Sequence, residues 1–294
     1  MSLASVLGVD VGGTHITVAI VDLTIGELRD ESLARSSVDS LGTKEEILES
    51  WCTIIRQTQL ASSSKSKIGI AMPGPFDYEN GISLIKDQHK FRSLYLTNIK
   101  VELANGLGIP ETNIRFINDA AAFLQGEIFC GAAKGFDQAL GITLGTGLGA
   151  AIAINGRASD AALWDANFRD GIAEDYLSTR WFIARYKELT GEEVEGVKEL
   201  AAVAKTNQMA QQVFNEFGIA LGDFLTAVIN KNKSEVVVLG GNISQAFELF
   251  EESLKQQLSL AKLNTQIKLS ELNENATLVG AATCWDKVLK VVNS

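Results

Sequence analysis

The segment Val6–Ile20, VLGVDVGGTHITVAI, constrains the fold more than any other part of the chain. It reads as an apolar strand, a tight turn of small residues and a second apolar strand. Ala139–Ile154, ALGITLGTGLGAAIAI, repeats the layout: Leu7-Gly8 answers to Leu140-Gly141, Gly12 to Gly145 and Thr14 to Gly147. Internal repetition of this kind predicts two similar halves closing on one ligand. Gly12 and Gly13 let the backbone bend sharply and bring its N–H groups up to a ligand with no side chain in the way. Thr14 adds a hydroxyl, and Asp10 stands where the first strand ends. An acid beside a glycine turn suits a Mg²⁺-bound polyphosphate, with the carboxylate facing the metal through water and the amides facing phosphate oxygens. The first segment alone also fits an ordinary hairpin with a glycine turn; the second copy argues against coincidence. Thr143 replaces Asp10 in that copy, so only one half offers a metal carboxylate.

The 294 residues, 46% hydrophobic, are enough for two lobes with a large core. A net charge of −10 argues against general nucleic-acid binding, which calls for clustered Lys and Arg. No apolar run approaches the roughly 20 residues that span a bilayer, and the N-terminus leads directly into the first strand, so a cytoplasmic protein with no membrane partner is expected. Cys52, Cys130 and Cys284 are far apart and read as buried free thiols.

Strand and helix patterns alternate along the chain. Helical spacing runs through Thr43–Gln59, a polar loop follows at Ser62–Lys67, and Lys67–Met72 reads as a buried strand. It enters Pro73-Gly74-Pro75, a rigid turn at the carboxyl end of the strand, where ligands of α/β sheets bind. Val101–Leu107 is a short helix, and Ile114–Ile117 a strand with Asn118-Asp119 at its tip. Farther on, Val213, Phe217, Leu221, Phe224 and Val228 form an apolar stripe; Glu235–Leu239 is a strand before Gly240-Gly241, and Val279–Val292 an apolar-faced helix. The predicted lobes are residues 1–121 with the C-terminal helix 279–294, and residues 122–278.

DVGGT at Asp10–Thr14, IAMPGPFD at Ile70–Asp77, FINDAAA at Phe116–Ala122, ITLGTGLGAAI at Ile142–Ile152 and VVVLGGNIS at Val236–Ser244 together resemble the ROK family of sugar kinases, in that family's order. The resemblance runs along almost the whole chain. It implies the α/β fold of actin and hexokinase: two ribonuclease-H-like lobes, with nucleotide and sugar in the cleft between them and the last helix returning to the N-terminal lobe. It makes Asp119 the general base that accepts the proton of the attacking sugar hydroxyl, a role that requires a carboxylate within hydrogen-bond reach. Read from the residues alone, Asp119 also fits a cap on the helix beginning AAAFLQGE. By the same resemblance Asn118 holds sugar hydroxyls with its amide, and Gly74 lets the sugar approach the backbone. Asp10, Gly12, Gly13 and Thr14 face Mg²⁺ and phosphate, as do Gly145, Thr146 and Gly147 in the second turn. Gly240 and Gly241 pass close to adenosine, or simply stop a buried strand.

The chain departs from the family in one place. Typical members follow the second hairpin with a loop carrying GE-x-GH, whose Glu and His contact the sugar, and then C-x-CG-x-x-GC-x-E, which binds a structural zinc. Here Asn155–Ser178, NGRASDAALWDANFRDGIAEDYLS, holds neither cysteine nor histidine, so no zinc site is expected. Glu174 matches the glutamate that closes the cysteine pattern and is carried over as a sugar contact; a solvated acid in a first helical turn is the other reading. Asp160, Asp165 and Asp170 either replace the missing loop contacts or are surface charges. The resemblance therefore implies an ATP- and Mg²⁺-dependent kinase of glucokinase type, forming a homodimer and acting on the 6-OH of a hexose such as glucose. A polyphosphate donor is one alternative, since polyphosphate-using glucokinases also lack the cysteine cluster. A sugar-sensing protein is the other, although the repressors among ROK proteins place a helix-turn-helix ahead of the kinase-like body.

Overall fold

The computed structural model describes residues 5–60, 67–86 and 90–286. Two compact units divide the chain: Met1–Lys134 with Glu274–Ser294, and Gly135–Asn273. The boundary expected between residues 121 and 122 falls inside a helix that belongs wholly to the first unit. Most of the expected loop at Ser62–Lys67, residues 62–66, lies outside the described residues, as does the end of the expected C-terminal helix from residue 287.

In the first unit the predicted hairpin is formed by β1 (Ser5–Val11) and β2 (His15–Asp22), antiparallel with Val11 opposite Ile16. Short strands β3 (Glu27–Leu28) and β4 (Ala34–Ser37) both pair with β2. Helix α1 (Lys44–Leu60) turns Ile47, Trp51, Ile54 and Ile55 into the core. Strand β5 (Ile68–Met72) is buried throughout, as its IGIAM sequence requires of a strand covered on both faces, and runs parallel to β1. A small hairpin of β6 (Phe76–Asp77) and β7 (Ile82–Ser83), helix α2 (Ile99–Leu107) and strand β8 (Ile114–Asn118) follow; β8 pairs parallel with β5 and runs directly into helix α3 (Asp119–Cys130). The sheet order is β3-β2-β1-β5-β8.

The second unit repeats this topology. Strands β9 (Ala139–Leu144), β10 (Leu148–Ile154) and β11 (Arg157–Asp160) make the antiparallel run. A two-stranded hairpin, β12 (Asn167–Phe168) with β13 (Gly171–Ile172), leads to helices α4 (Ala173–Tyr176), α5 (Thr179–Thr190), α6 (Val197–Val203) and α7 (Gln208–Asn232). Strand β14 (Val236–Gly240), helix α8 (Glu251–Leu260) and strand β15 (Gln266–Leu269) complete a sheet ordered β11-β10-β9-β14-β15. Along each order three antiparallel strands are thus followed by two parallel ones, with β4 an additional strand on β2 in the first sheet. The predicted stripe on α7 is buried and meets Phe182 of α5 and Phe250 ahead of α8, with ring centroids 4.5 Å and 5.1 Å from Phe217.

The chain then returns to the first unit as α9 (Asn275–Ala282), followed by a 3-10 turn at Thr283–Trp285, so this helix starts and ends earlier than its apolar pattern predicts. It lies so close to the sheet that a Cβ on Gly8 would stand 2.2 Å from the Leu278 carbonyl oxygen, and one on Gly69 1.9 Å from that of Ala281. Gly8 and Gly69 are register partners on neighbouring strands, so one glycine-floored groove seats the helix.

Candidate active site

The first unit gathers its chemistry at the carboxyl ends of β1, β5 and β8. Asp10 lies opposite Thr17 of β2, which lies opposite Arg35 of β4; on its other side Asp10 neighbours Ala71, and Ala71 neighbours Ile117. Paired residues share a face of the sheet, so these side chains form one row, with Asp119 two residues beyond Ile117. Asp10 is half-buried. Burial is the main cause that raises its carboxyl to about 7, and the charge of Asp119 raises it further; Arg35 draws it down, and Glu274 adds a smaller upward push. Glu274 in turn holds Arg35 through an ion pair of 3.1 Å. An acid that is costly to ionise beside a second acid suits a divalent cation, and Mg²⁺ needs only one or two carboxylates when water and phosphate complete its shell. Among the described residues no cluster of three or more His, Cys, Asp and Glu is placed to hold an ion by itself.

Asn118, rather than Asp119, caps α3: its Oδ1 accepts the Ala121 N–H at 3.0 Å. Asp119 takes the first helical position, where its Oδ1 accepts the Ala120 N–H at 2.9 Å. The Asn118 Nδ2 donates to the Tyr78 hydroxyl at 3.2 Å, and that hydroxyl donates to the Met72 carbonyl at 3.1 Å. The same hydroxyl overlies Gly74, 3.3 Å from where a Cβ would stand. Gly74 and Asn118 are therefore brought together through Tyr78, which sequence reasoning passes over, and Asp119 follows Asn118 in the chain.

The two glycine turns differ by one residue. The first turn, residues 12–15, closes with the Gly12 N–H donating to the His15 carbonyl at 2.8 Å; the second, residues 145–147, with Gly145 donating to Gly147 at 3.1 Å. Gly12 and Gly145 keep their predicted equivalence, but Gly147 answers to His15 instead of Thr14, because the shorter turn omits a residue. Thr14 is exposed, with its hydroxyl 2.9 Å from His15 Nδ1. Lys90 passes beside Gly13, its Cδ 3.4 Å from a Cβ built there.

In the second unit Glu174 is packed against the turn. Its Oε2 accepts the Leu148 N–H at 3.0 Å and would stand 2.5 Å from a Cβ on Gly147; its Oε1 accepts from Arg180 at 2.7 Å. With its side chain 22% exposed and two partners, it is not a free solvated acid. The Thr179 N–H and hydroxyl both donate to the Gly145 carbonyl, at 2.8 and 3.0 Å, and tie the start of α5 to the turn. Beside them the buried Ser178 hydroxyl has no partner among the described residues. Thr146 is the exposed tip. Gly240 ends β14 opposite Thr143. Gly241 has φ +83, and a Cβ there would meet the Leu144 carbonyl at 2.3 Å, so local packing alone demands glycine. Asp160, Asp165 and Asp170 are all exposed; Asp160 accepts the Ala162 N–H at 2.9 Å and Asp170 the Tyr176 hydroxyl. The loop that lacks the cysteines is held instead by Arg169, which lies over Phe168 and Tyr176 and pairs with Asp223 at 3.0 Å. A cavity of about 650 Å³ between β4 and α1 is lined by Glu45, Glu46 and Glu49 as well as Arg35, the wrong charge for phosphate.

The chain is 26% identical over 324 residues to an N-acetyl-D-glucosamine kinase of Mannheimia succiniciproducens, covering 95% of this chain and 98% of the relative. It is 23% identical over 316 residues to a xylose repressor of Caldicellulosiruptor bescii, covering 95% of this chain and 77% of that protein. The crystal structure of the inorganic polyphosphate/ATP-glucomannokinase from Arthrobacter sp. strain KM matches with a TM-score of 0.73 at 26% identity, over 98% and 99% of the two chains. The ROK family model fits residues 6–161 and 169–288, the break falling within the loop that lacks the cysteines, so the chain belongs to the ROK family.

Proposed function

We propose that the protein is a sugar kinase that transfers the terminal phosphoryl group of ATP to a hydroxyl of a hexose, the 6-OH, with Asp119 as general base. The observation that carries this reading is the pairing of two acids in which neither is needed as a cap: Asn118 caps α3, leaving Asp119 at the first helical position, close enough to Asp10 to raise its carboxyl. Asp119 would take the proton of the attacking hydroxyl, while Asn118 and Gly74 position the sugar. Asp10 would hold Mg²⁺ through water, the ion supplying charge neutralisation on the phosphates. The amides of Gly12 and Gly13 with Thr14, and of Gly145, Thr146 and Gly147, would face phosphate oxygens; Gly240 and Gly241 would border adenosine.

The test is release of ADP from ATP and Mg²⁺ across a panel of hexoses and N-acetylhexosamines. Sugar-dependent turnover is expected, and Asp119→Asn should lower it about 10²- to 10⁴-fold. Turnover unchanged in the variant would remove Asp119 from the chemistry. A polyphosphate donor is favoured by one observation, the 26% identity to a polyphosphate/ATP-using enzyme across 98% of the chain. The same panel with inorganic polyphosphate replacing ATP decides between the donors.

A further inference from the structure

We propose that Arg180 is a donor-side residue: it neutralises Glu174 at the second glycine turn, so that the turn accepts a phosphate chain, and presents its remaining N–H groups to that chain. The inference deepens the kinase reading and rests on it for the turn's role as a phosphate site. Glu174 poses an electrostatic problem there. Its carboxylate is fixed against the turn by the Leu148 N–H at 3.0 Å and leaves no room for a Cβ on Gly147. A bare carboxylate in that position repels a polyanion and also takes up an amide at the turn. Arg180 resolves the repulsion. It bonds the other carboxylate oxygen at 2.7 Å, and its side chain is 65% exposed against 22% for Glu174. A guanidinium carries five N–H groups in a rigid fork that matches phosphate oxygens, and one of them is committed here. The backbone that carries Arg180 is also fixed: α5 starts one residue earlier, at Thr179, with Ser178 at the cap position, and Thr179 bonds the Gly145 carbonyl by both its N–H and its hydroxyl. The orphaned Ser178 hydroxyl lies at the same corner.

Calorimetric binding to the intact protein tests this, with tripolyphosphate to report the phosphate chain alone and MgADP to add the nucleoside. Arg180→Ala should weaken tripolyphosphate binding about tenfold, the size of one charge interaction at intermediate dielectric. Glu174→Gln keeps an oxygen for the Leu148 N–H and should bind at least as tightly as the native protein. The Arg180→Ala, Glu174→Gln double variant should recover to within about threefold of native, a rescue that loss of packing would not give. MgADP should follow the same order with smaller changes. Native affinity in Arg180→Ala, failure of the double variant to recover, weakened binding in Glu174→Gln, or no tripolyphosphate binding by the native protein would each overturn the assignment. Tripolyphosphate binding that obeys the predicted order without sugar-dependent turnover would sink the kinase reading and leave the assignment of Arg180 standing.

Discussion

Asp10 shows how one residue can set a cost that a ligand removes. Its carboxyl titrates near 7 in the folded chain against an ordinary value of 3.8, because burial and Asp119 both oppose its charge. The folded state therefore holds one more proton than the unfolded state between those values, and stability falls as pH rises from about 4 to about 7. Asp10→Asn should flatten that part of the curve and, at pH 8, gain about 2 kcal/mol over the native protein after allowance for partial exposure. Urea unfolding of both proteins from pH 4 to 8 checks this; parallel curves would show that Asp10 carries no such cost. The thiols make a second case. Burial pushes Cys284 up to about 12 and raises Cys52 and Cys130 as well. Only Cys52 is fully buried, whereas Cys130 and Cys284 are half-buried, against the expectation of three buried thiols. Because thiolate is the reactive form, Cys52 should not react with a disulfide reagent within minutes at pH 7.5, Cys130 and Cys284 should react more slowly than a free thiol, and all three should react readily in denaturant. Rapid reaction of Cys52 in the native state would contradict its burial.

Among the elements, α9 depends on the absence of side chains beneath it. Gly69→Ala would put a methyl 1.9 Å from a backbone carbonyl, which no rotamer change relieves, so the helix must lift. A loss of at least about 3 kcal/mol in urea unfolding is expected, at the upper end of overpacking costs; a loss under about 1 kcal/mol would mean that the groove yields easily. The sequence reveals the hairpins and the buried strands because glycine turns and unbroken apolar runs leave a local signature. It does not reveal this groove, since Gly8 and Gly69 look like any strand glycine until the helix from the far end of the chain is laid over them. Strands β3 and β4 are two and four residues long and mostly exposed, so Arg35 acquires meaning only through its register with Thr17 and Asp10. The site is divided in the same way. Asp10, Asn118 and Asp119 sit at strand ends that sequence can place, and only the choice of cap between Asn118 and Asp119 required the backbone. Within the first unit Tyr78 bonds Asn118 and Lys90 passes Gly13, and within the second Arg180 pairs with Glu174; all three come from segments that carry no motif.

Over the whole molecule, the two units share a strand order but not a construction. Residues 135–273 form one uninterrupted stretch with its own aromatic core, whereas the first unit is completed by residues from beyond that stretch. A fragment of residues 135–273 should therefore unfold cooperatively by itself. A fragment of residues 1–134 lacks α9, leaves the floor of Gly8 and Gly69 open, and should show no cooperative transition until a peptide of residues 274–286 is added. Circular dichroism of the two fragments with and without the peptide checks both statements, and a cooperative 1–134 fragment would show that α9 is dispensable.

That return of the chain has a consequence during synthesis. The ribosome makes β1 first, yet the helix that covers β1 is translated only after the entire second unit, so the partner to which Gly8 is fitted does not exist while the intervening residues are being added. The usual order, in which the earlier part of a chain finishes folding before the later part, is reversed: the second unit closes while the first sheet still waits with one face uncovered. Across that interval the nascent protein leaves a glycine-floored apolar groove uncovered, which is the surface a holding chaperone would be expected to occupy.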